Sequence, residues 1–196
     1  MAGPSSARCE PVTIRSHRPA EDRRWATGGY RLPVSIDVTV RAADLEDPDL
    51  VAFLAAHLAE LEPTAPPESR HALDLEGLRS PAVRMWEARV AGQVAGTIAL
   101  ADLGPGHAEL KSLRTSPALR GRGIGALLLE VALDDARSRQ LGRVSLETGS
   151  APLFDPARRL YARRGFTVCG PFGNYVEDPH SMFMTLELPV AEPAAG

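Results

Sequence analysis

Six residues, Arg120-Gly121-Arg122-Gly123-Ile124-Gly125, join a strand-like segment to the most regular helical stretch of the sequence. Three of them are glycines, which enter left-handed backbone freely and let a ligand approach the main chain. The helix that follows leaves its first N–H groups without internal acceptors and turns the positive end of its dipole toward the loop. A strand, glycine loop and helix in this order suit a phosphate or pyrophosphate. Arg120 and Arg122 add fixed positive charge. The plainer alternative is a glycine-rich turn carrying solvated arginines.

The surrounding periodicities say what kind of sheet feeds this loop. From Ile124 to Arg139, apolar Ile124, Leu127, Leu128, Val131 and Ala132 recur at i, i+3, i+4, i+7 and i+8, an amphipathic helix. Upstream, Ser35 to Val40 alternates as a strand does. Asp49 to Leu61 sets Leu50, Phe53, Leu54, His57, Leu58 and Leu61 on one helical stripe, which Pro63 ends. A Pro-rich loop then holds one short helix around Leu73 to Leu78. Val83 to Val90 and Gln93 to Leu103 read as a hairpin about Ala91-Gly92, and Ala108 to Thr115 as a further strand. Beyond the long helix come a strand at Val144 to Glu147 and a helix at Phe154 to Arg164 closed by Gly165. Strands at Phe166 to Cys169 and Ser181 to Leu188 complete the order β-α-α-β-β-β-α-β-α-β-β. The expected fold class is therefore α/β, a mixed sheet with helices on both faces.

Residues 1–34 are rich in Pro, Ser, Arg and Gly and carry little apolar material, so a flexible arm is expected there. Residues 191–196 read as a disordered tail, leaving one domain over 35–190. A formal net charge of −3 gives no field suited to nucleic acid or to an anionic membrane. No apolar run approaches the roughly 18 residues of a membrane-spanning helix, and the N-terminus lacks the apolar core of a secretory signal. Cys9 and Cys169 offer no metal-ligand spacing and are expected to be reduced thiols of a cytoplasmic protein.

Gly121, Gly123 and Ala126 also satisfy the G-x-G-x-x-[GA] dinucleotide fingerprint, with Glu147 as the ribose-binding acid. Ser116-Pro117-Ala118-Leu119 separates the glycines from their strand, however, and the 49 residues after Glu147 are too few for the remaining βαβ units. A dinucleotide fold is rejected on those grounds.

Arg120-x-x-Gly123-x-Gly125 instead resembles the [QR]-x-x-G-x-[GA] signature of the GNAT N-acetyltransferases, and the element order over about residues 35–189 is similar to theirs. The resemblance implies acetyl-CoA as co-substrate, with its pyrophosphate on Arg120, Gly121, Arg122, Gly123, Ile124 and Gly125. It also implies that backbone groups at Leu113 and Thr115 hold the thioester carbonyl and the pantetheine arm, an oxyanion site in physical terms. Ala157-x-x-Leu160-Tyr161-x-x-x-Gly165-Phe166 looks like the segment whose tyrosine protonates the departing thiolate in many members. A phenol is chemically suited to that step, and a packing tyrosine would read the same way. Phe154 stands where many members carry an asparagine.

In one branch of the family a glutamate eleven residues before the signature arginine is the general base; Glu109 has that spacing. An ion pair across the strands is the alternative reading for it. Pro66-Pro67-Glu68-Ser69-x-His71, Leu146-Glu147-Thr148-Gly149 and Pro171-Phe172-Gly173-x-Tyr175-x-x-Asp178-Pro179 are similar to segments of a bacterial GNAT group. On that resemblance Glu68, His71, Tyr175 and Asp178 converge on the acceptor. For Asp178 and its neighbours the alternative is turn chemistry.

The implied activity is direct transfer of acetyl to a small-molecule or peptide amine in a ternary complex, without metal, nucleic acid or membrane; a homodimer is compatible with it. The rival is a non-catalytic acyl-CoA-binding module of the same fold.

Overall fold

The computed structural model describes residues 12–14, 36–61, 66 and 73–189. Its elements are β1 (Val12–Ile14), β2 (Val38–Ala42), α1 (Pro48–Leu61), α2 (Leu75–Leu78), β3 (Val83–Val90) and β4 (Gln93–Gly104). They continue as β5 (His107–Thr115), α3 (Ile124–Ser138), β6 (Arg143–Gly149), α4 (Asp155–Arg163), β7 (Thr167–Cys169) and β8 (Ser181–Glu187). The described strands lie in the order β1-β2-β3-β4-β5-β6-β8-β7. The β5–β6 pair is parallel and the others are antiparallel, so the sheet is mixed as expected. No described helix is long and apolar enough to cross a membrane.

Three residues of the N-terminal arm form a strand. Val12, Thr13 and Ile14 pair with Val40, Thr39 and Val38 at the sheet edge. Three β-branched residues in a row favour extended backbone, and β2 would otherwise present an unpaired edge. The rest of the arm and the tail lie outside the described residues.

The turn between β3 and β4 has Ala91 at φ 48° and Gly92 at φ 81°, the left-handed pair of a tight hairpin. Alternation along the strands then divides the core into two layers. Ile98, Leu100, Ala108, Leu110, Val144, Leu146 and Met184 face α3 and α4. Met85 and Ala99 face α1 and α2, through Leu50, Leu54 and Leu78. Within α3 the fully enclosed stripe is Ile124, Leu128, Leu129, Ala132, Leu133 and Ala136, while Leu127 and Val131 are only partly buried. The buried face is thus turned from the one expected, because the helix beds on a broad sheet that encloses a wider sector than a strict stripe.

Candidate active site

The loop and its helix occupy the place where two parallel strands part. Pairing of β5 with β6 runs from His107↔Arg143 to Leu110↔Leu146 and stops there. Just beyond, β5 bulges: Thr97 lies opposite Arg114 and Ala99 opposite Lys111, so β5 carries one extra residue. Ser112 takes φ 54° at that point, and its carbonyl accepts a 2.9 Å hydrogen bond from the Thr97 hydroxyl. A non-glycine residue held at positive φ marks local strain of the sort that gathers at functional sites. Leu113 and Thr115 follow the bulge directly.

After Thr115 the chain is pinned by Ser116 N–H to the Ala95 carbonyl at 2.9 Å, makes a single 3-10 turn over Pro117–Leu119, and enters the glycine loop. Gly121 and Gly123 have φ 76° and 87°, and a Cβ added to either would meet nothing within 4 Å. Gly123 is the N-cap of α3 and offers no side chain to cap it. The first helical bond runs from Leu127 N–H to the Gly123 carbonyl, so the helix itself leaves the N–H groups of Ile124, Gly125 and Ala126 unused. No acidic residue occupies the first turn, and the Arg120 side chain is 58% exposed. An open concavity of uncapped N–H groups beside arginine is fitted to an anion. Gly125 serves packing: a Cβ there would sit 3.3 Å from the Thr115 hydroxyl and 3.6 Å from Leu160.

On the α1/α2 face of β5 two charged groups flank the bulge. The first is formed by Glu109, Lys111 and Tyr175. Lys111 Nζ donates to Glu109 Oε1 at 2.7 Å and to the Tyr175 hydroxyl at 2.9 Å, while that hydroxyl donates to the same Oε1 at 2.6 Å. Burial first, then the hydrogen bond to Glu109, holds the Tyr175 phenol well above its ordinary value, with the charges of Glu109 and Glu147 adding to it. The Tyr175 ring stands 5.1 Å from Phe172 and 5.4 Å from Phe183, which fixes the segment between β7 and β8 against the sheet.

The second group is centred on buried Arg114. Its guanidinium donates to His57 Nδ1 at 2.5 Å and to Glu60 at 2.6 Å, and lies 5.5 Å from the Phe53 ring centroid. Burial first, then the adjacent Arg114 charge, pushes His57 down to about 4, so its imidazole is neutral at pH 7 and can accept that bond. Glu60 also reaches Arg120 at 4.0 Å, linking the end of α1 to the glycine loop.

On the opposite face Tyr161 is buried in the α3/α4 core, its ring 5.8 Å from Phe166. Burial, with a contribution from the Glu147 carboxylate, raises its phenol, which keeps its proton at physiological pH. Asp178 caps its own turn: its carboxylate accepts from His180 N–H at 2.7 Å and its carbonyl from Ser181 N–H at 3.1 Å. Glu68 and His71 lie outside the described residues.

Comparison with known proteins is decisive at the family level. The model of the acetyltransferase (GNAT) family matches residues 45–166, which include the bulged strand, the loop and Tyr161. The chain belongs to that family. Over 150 residues it is 43% identical to YedL of Escherichia coli (strain K12), an uncharacterized N-acetyltransferase, covering 76% of this chain and 94% of that one. YsnE of Bacillus subtilis (strain 168), also an uncharacterized N-acetyltransferase, is 42% identical over 149 residues, covering 76% of this chain and 99% of its own. An acetyltransferase structure from Streptococcus agalactiae 2603 shares the fold, with TM-score 0.62 and 20% identity over 77% of this chain and 98% of that one. The protein is an acyltransferase.

Sequence reading of this acetyltransferase placed Glu109, Tyr161 and Tyr175 among the site residues but missed Lys111, Arg114 and His57. Lys111 had a usable signal, since it lies two positions from Glu109 on one strand and so shares its face. His57 had one too, as the polar member of an apolar helical stripe. Arg114 had none, because its direction depends on the bulge before it.

Proposed function

We propose that this acetyltransferase takes its acetyl group from acetyl-CoA and passes it directly to an amine, a small molecule or a peptide N-terminus or side chain, within a ternary complex. The observation that carries the reading is the uncapped start of α3, opening beside the point where β5 and β6 diverge. The N–H groups of the glycine loop and the Arg120 and Arg122 charges would hold the pyrophosphate. Acetyl-CoA supplies the activated acyl group. The backbone after the Ser112 bulge, at Leu113 and Thr115, would stabilise charge developing on the thioester oxygen.

An amine is a cation at neutral pH and must lose a proton before it can attack. Glu109 is the carboxylate for that step, supported by its place on β5 immediately before the strands part. Tyr161, held protonated, is the donor to the departing sulfur. Tyr175 lines the acceptor side beside Glu109, and Glu68 and His71 are assigned to the same wall. The Asp178 carboxylate accepts from His180 N–H in the segment that carries Tyr175, and Asp178 is assigned to the same acceptor wall.

Melting with and without acetyl-CoA tests the cofactor half of this reading. At 100 times Kd the expected gain is about 2.7 kcal/mol. Absence of any shift with millimolar acetyl-CoA would overturn it. A panel of amines scored by free CoA thiol release tests the transfer half, and binding without release to any of them would instead favour the non-catalytic module.

A further inference from the structure

Both donors that reach the Glu109 carboxylate within the described site go to the same oxygen. Lys111 Nζ and the Tyr175 hydroxyl meet at Oε1, at 2.7 and 2.6 Å, and Oε2 makes no hydrogen bond among the described residues. Oε2 is not among the buried unpaired atoms of the described residues, so it keeps access to solvent and is the oxygen an acceptor can reach. The Glu109 side chain is only 6% exposed and that of Lys111 12%, so neither is an ordinary surface group. We propose that Lys111 is a positioning residue for Glu109, clamping Oε1 together with Tyr175 so that Oε2 is the oxygen presented to the acceptor.

The inference rests on the reading of Glu109 as the base. In the step it serves, an N–H bond of the acceptor's ammonium breaks and an O–H bond forms at Oε2. The electron pair left on nitrogen forms the new C–N bond, the C–S bond breaks, and the CoA thiolate leaves and takes up a proton in place of the second one lost from nitrogen. The choice of side chain fits the geometry. Lys111 is the chain's only lysine among 22 Lys and Arg residues. A compact ammonium can donate to two oxygens from a single nitrogen, where a planar guanidinium would demand a wider, bidentate partner. The Tyr175 ring, held between Phe172 and Phe183, fixes the second donor. Among the described residues, the charged and titratable groups around Glu109 are Lys111 and His107 on its own strand, Tyr175 from the β7–β8 segment and Glu147 on β6. The residues paired directly with Glu109, Ala101 on β4 and Ser145 on β6, are uncharged.

Carbon-13 NMR of full-length protein labelled at glutamate Cδ tests this without an acceptor. The Glu109 signal is identified by its loss in Glu109→Gln and followed with pH in wild type, Lys111→Met and Lys111→Arg. A cation beside a carboxylate favours the charged form by about 1–3 pH units. The midpoint in Lys111→Met is therefore expected to lie above that of wild type, and Lys111→Arg to restore most of the difference. An equal midpoint in wild type and Lys111→Met overturns the proposal. Should Lys111→Met fail to fold, Tyr175→Phe reads the same clamp. Loss of its donor is expected to raise the midpoint, and an unchanged midpoint overturns the proposal equally. Failure of the base assignment shows separately, as Glu109→Gln turning over acetyl-CoA and an amine like wild type.

Discussion

Phe154 lays the edge of its ring against the bare Cα of Gly149, where an added Cβ would come within 2.2 Å of Cε2 and 2.3 Å of Cδ2. Gly149 ends β6 on the open side of the strand divergence, and Phe154 caps that end as the chain turns into α4. Arg158 closes the same corner, donating to the Gly149 carbonyl at 2.5 Å and to the Ala151 carbonyl at 3.1 Å. Phe154 is therefore a packing residue, and Gly149 is its counterpart.

Gly149→Ala should accordingly behave as an overpacked core position, losing about 1–3 kcal/mol. For a chain of this size each kcal/mol corresponds to roughly 2–4 °C in Tm. Adding Phe154→Ala should recover part of that loss, because the two residues touch and their effects do not add. Thermal melts of the two single variants and the double variant check this, and strictly additive losses would contradict the contact.

Gly123→Val and Gly125→Val should fail for different reasons. At Gly123 there is open space around the missing Cβ, but φ is 87°, so the variant carries about 1–2 kcal/mol of backbone strain and distorts the mouth of the loop. Acetyl-CoA affinity should drop at least tenfold, about 1.4 kcal/mol. At Gly125 the new side chain presses on Thr115 and Leu160, so stability should suffer alongside affinity. Calorimetric titration and melting curves separate the two, and unchanged affinity in a folded Gly123→Val protein would show that the loop is only a turn.

His57 should make stability depend on pH. Its folded-state value near 4 lies below the unfolded value of about 6.5, so between them the unfolded chain binds the proton and the folded chain does not. Stability is therefore full above pH 6.5 and declines as pH falls, by roughly 2 kcal/mol between pH 7.5 and 5. His107, also lowered chiefly by burial, acts in the same direction. His57→Gln, whose amide oxygen can still accept from Arg114, should remove only the His57 share. Its Tm should fall less than that of wild type over this range; parallel curves would mean that His57 is charged in the folded protein.

These residues also show what the sequence could and could not announce. The hairpin at Ala91-Gly92 and the loop at Gly121 and Gly123 were legible because positive φ has a chemical signature in glycine and its neighbours. The bulge at Ser112 was not, since serine does not ask for that conformation and the Thr97 hydroxyl that holds its carbonyl comes from another strand. Arg114 and His57, 57 residues apart, meet only because that bulge and the stripe of α1 bring them to one face. Glu109 was legible as a chemical group but not in its partnership, because the ion pair runs along its own strand to Lys111 and the second donor arrives from the segment after β7. Local chemistry is written locally; the partnerships that tune it are tertiary.

Tyr161→Phe separates catalysis from packing. The ring is buried against Phe166, and its phenol is raised by burial and by Glu147, with no hydrogen bond among the causes. The hydroxyl makes no hydrogen bond among the described residues and is not one of their buried unpaired atoms, so removing it while keeping the ring is close to neutral for stability. A purely structural tyrosine therefore predicts unchanged turnover and an unchanged Tm. The donor role predicts something different. A thiol titrates near 8.5, below a phenol that burial has raised above 10, so complete proton transfer to the leaving sulfur runs uphill and the hydroxyl acts mainly by donating a hydrogen bond as charge develops there. Loss of that donor should lower kcat by about 10²–10⁴-fold, the range for general acid catalysis, with acetyl-CoA affinity near normal. Single-turnover rates of CoA thiol release in wild type and Tyr161→Phe, read beside their melting curves, decide between the two. A slow enzyme with an undiminished Tm assigns the hydroxyl to the leaving group, and equal rates make Tyr161 a core residue from which the sulfur receives no proton.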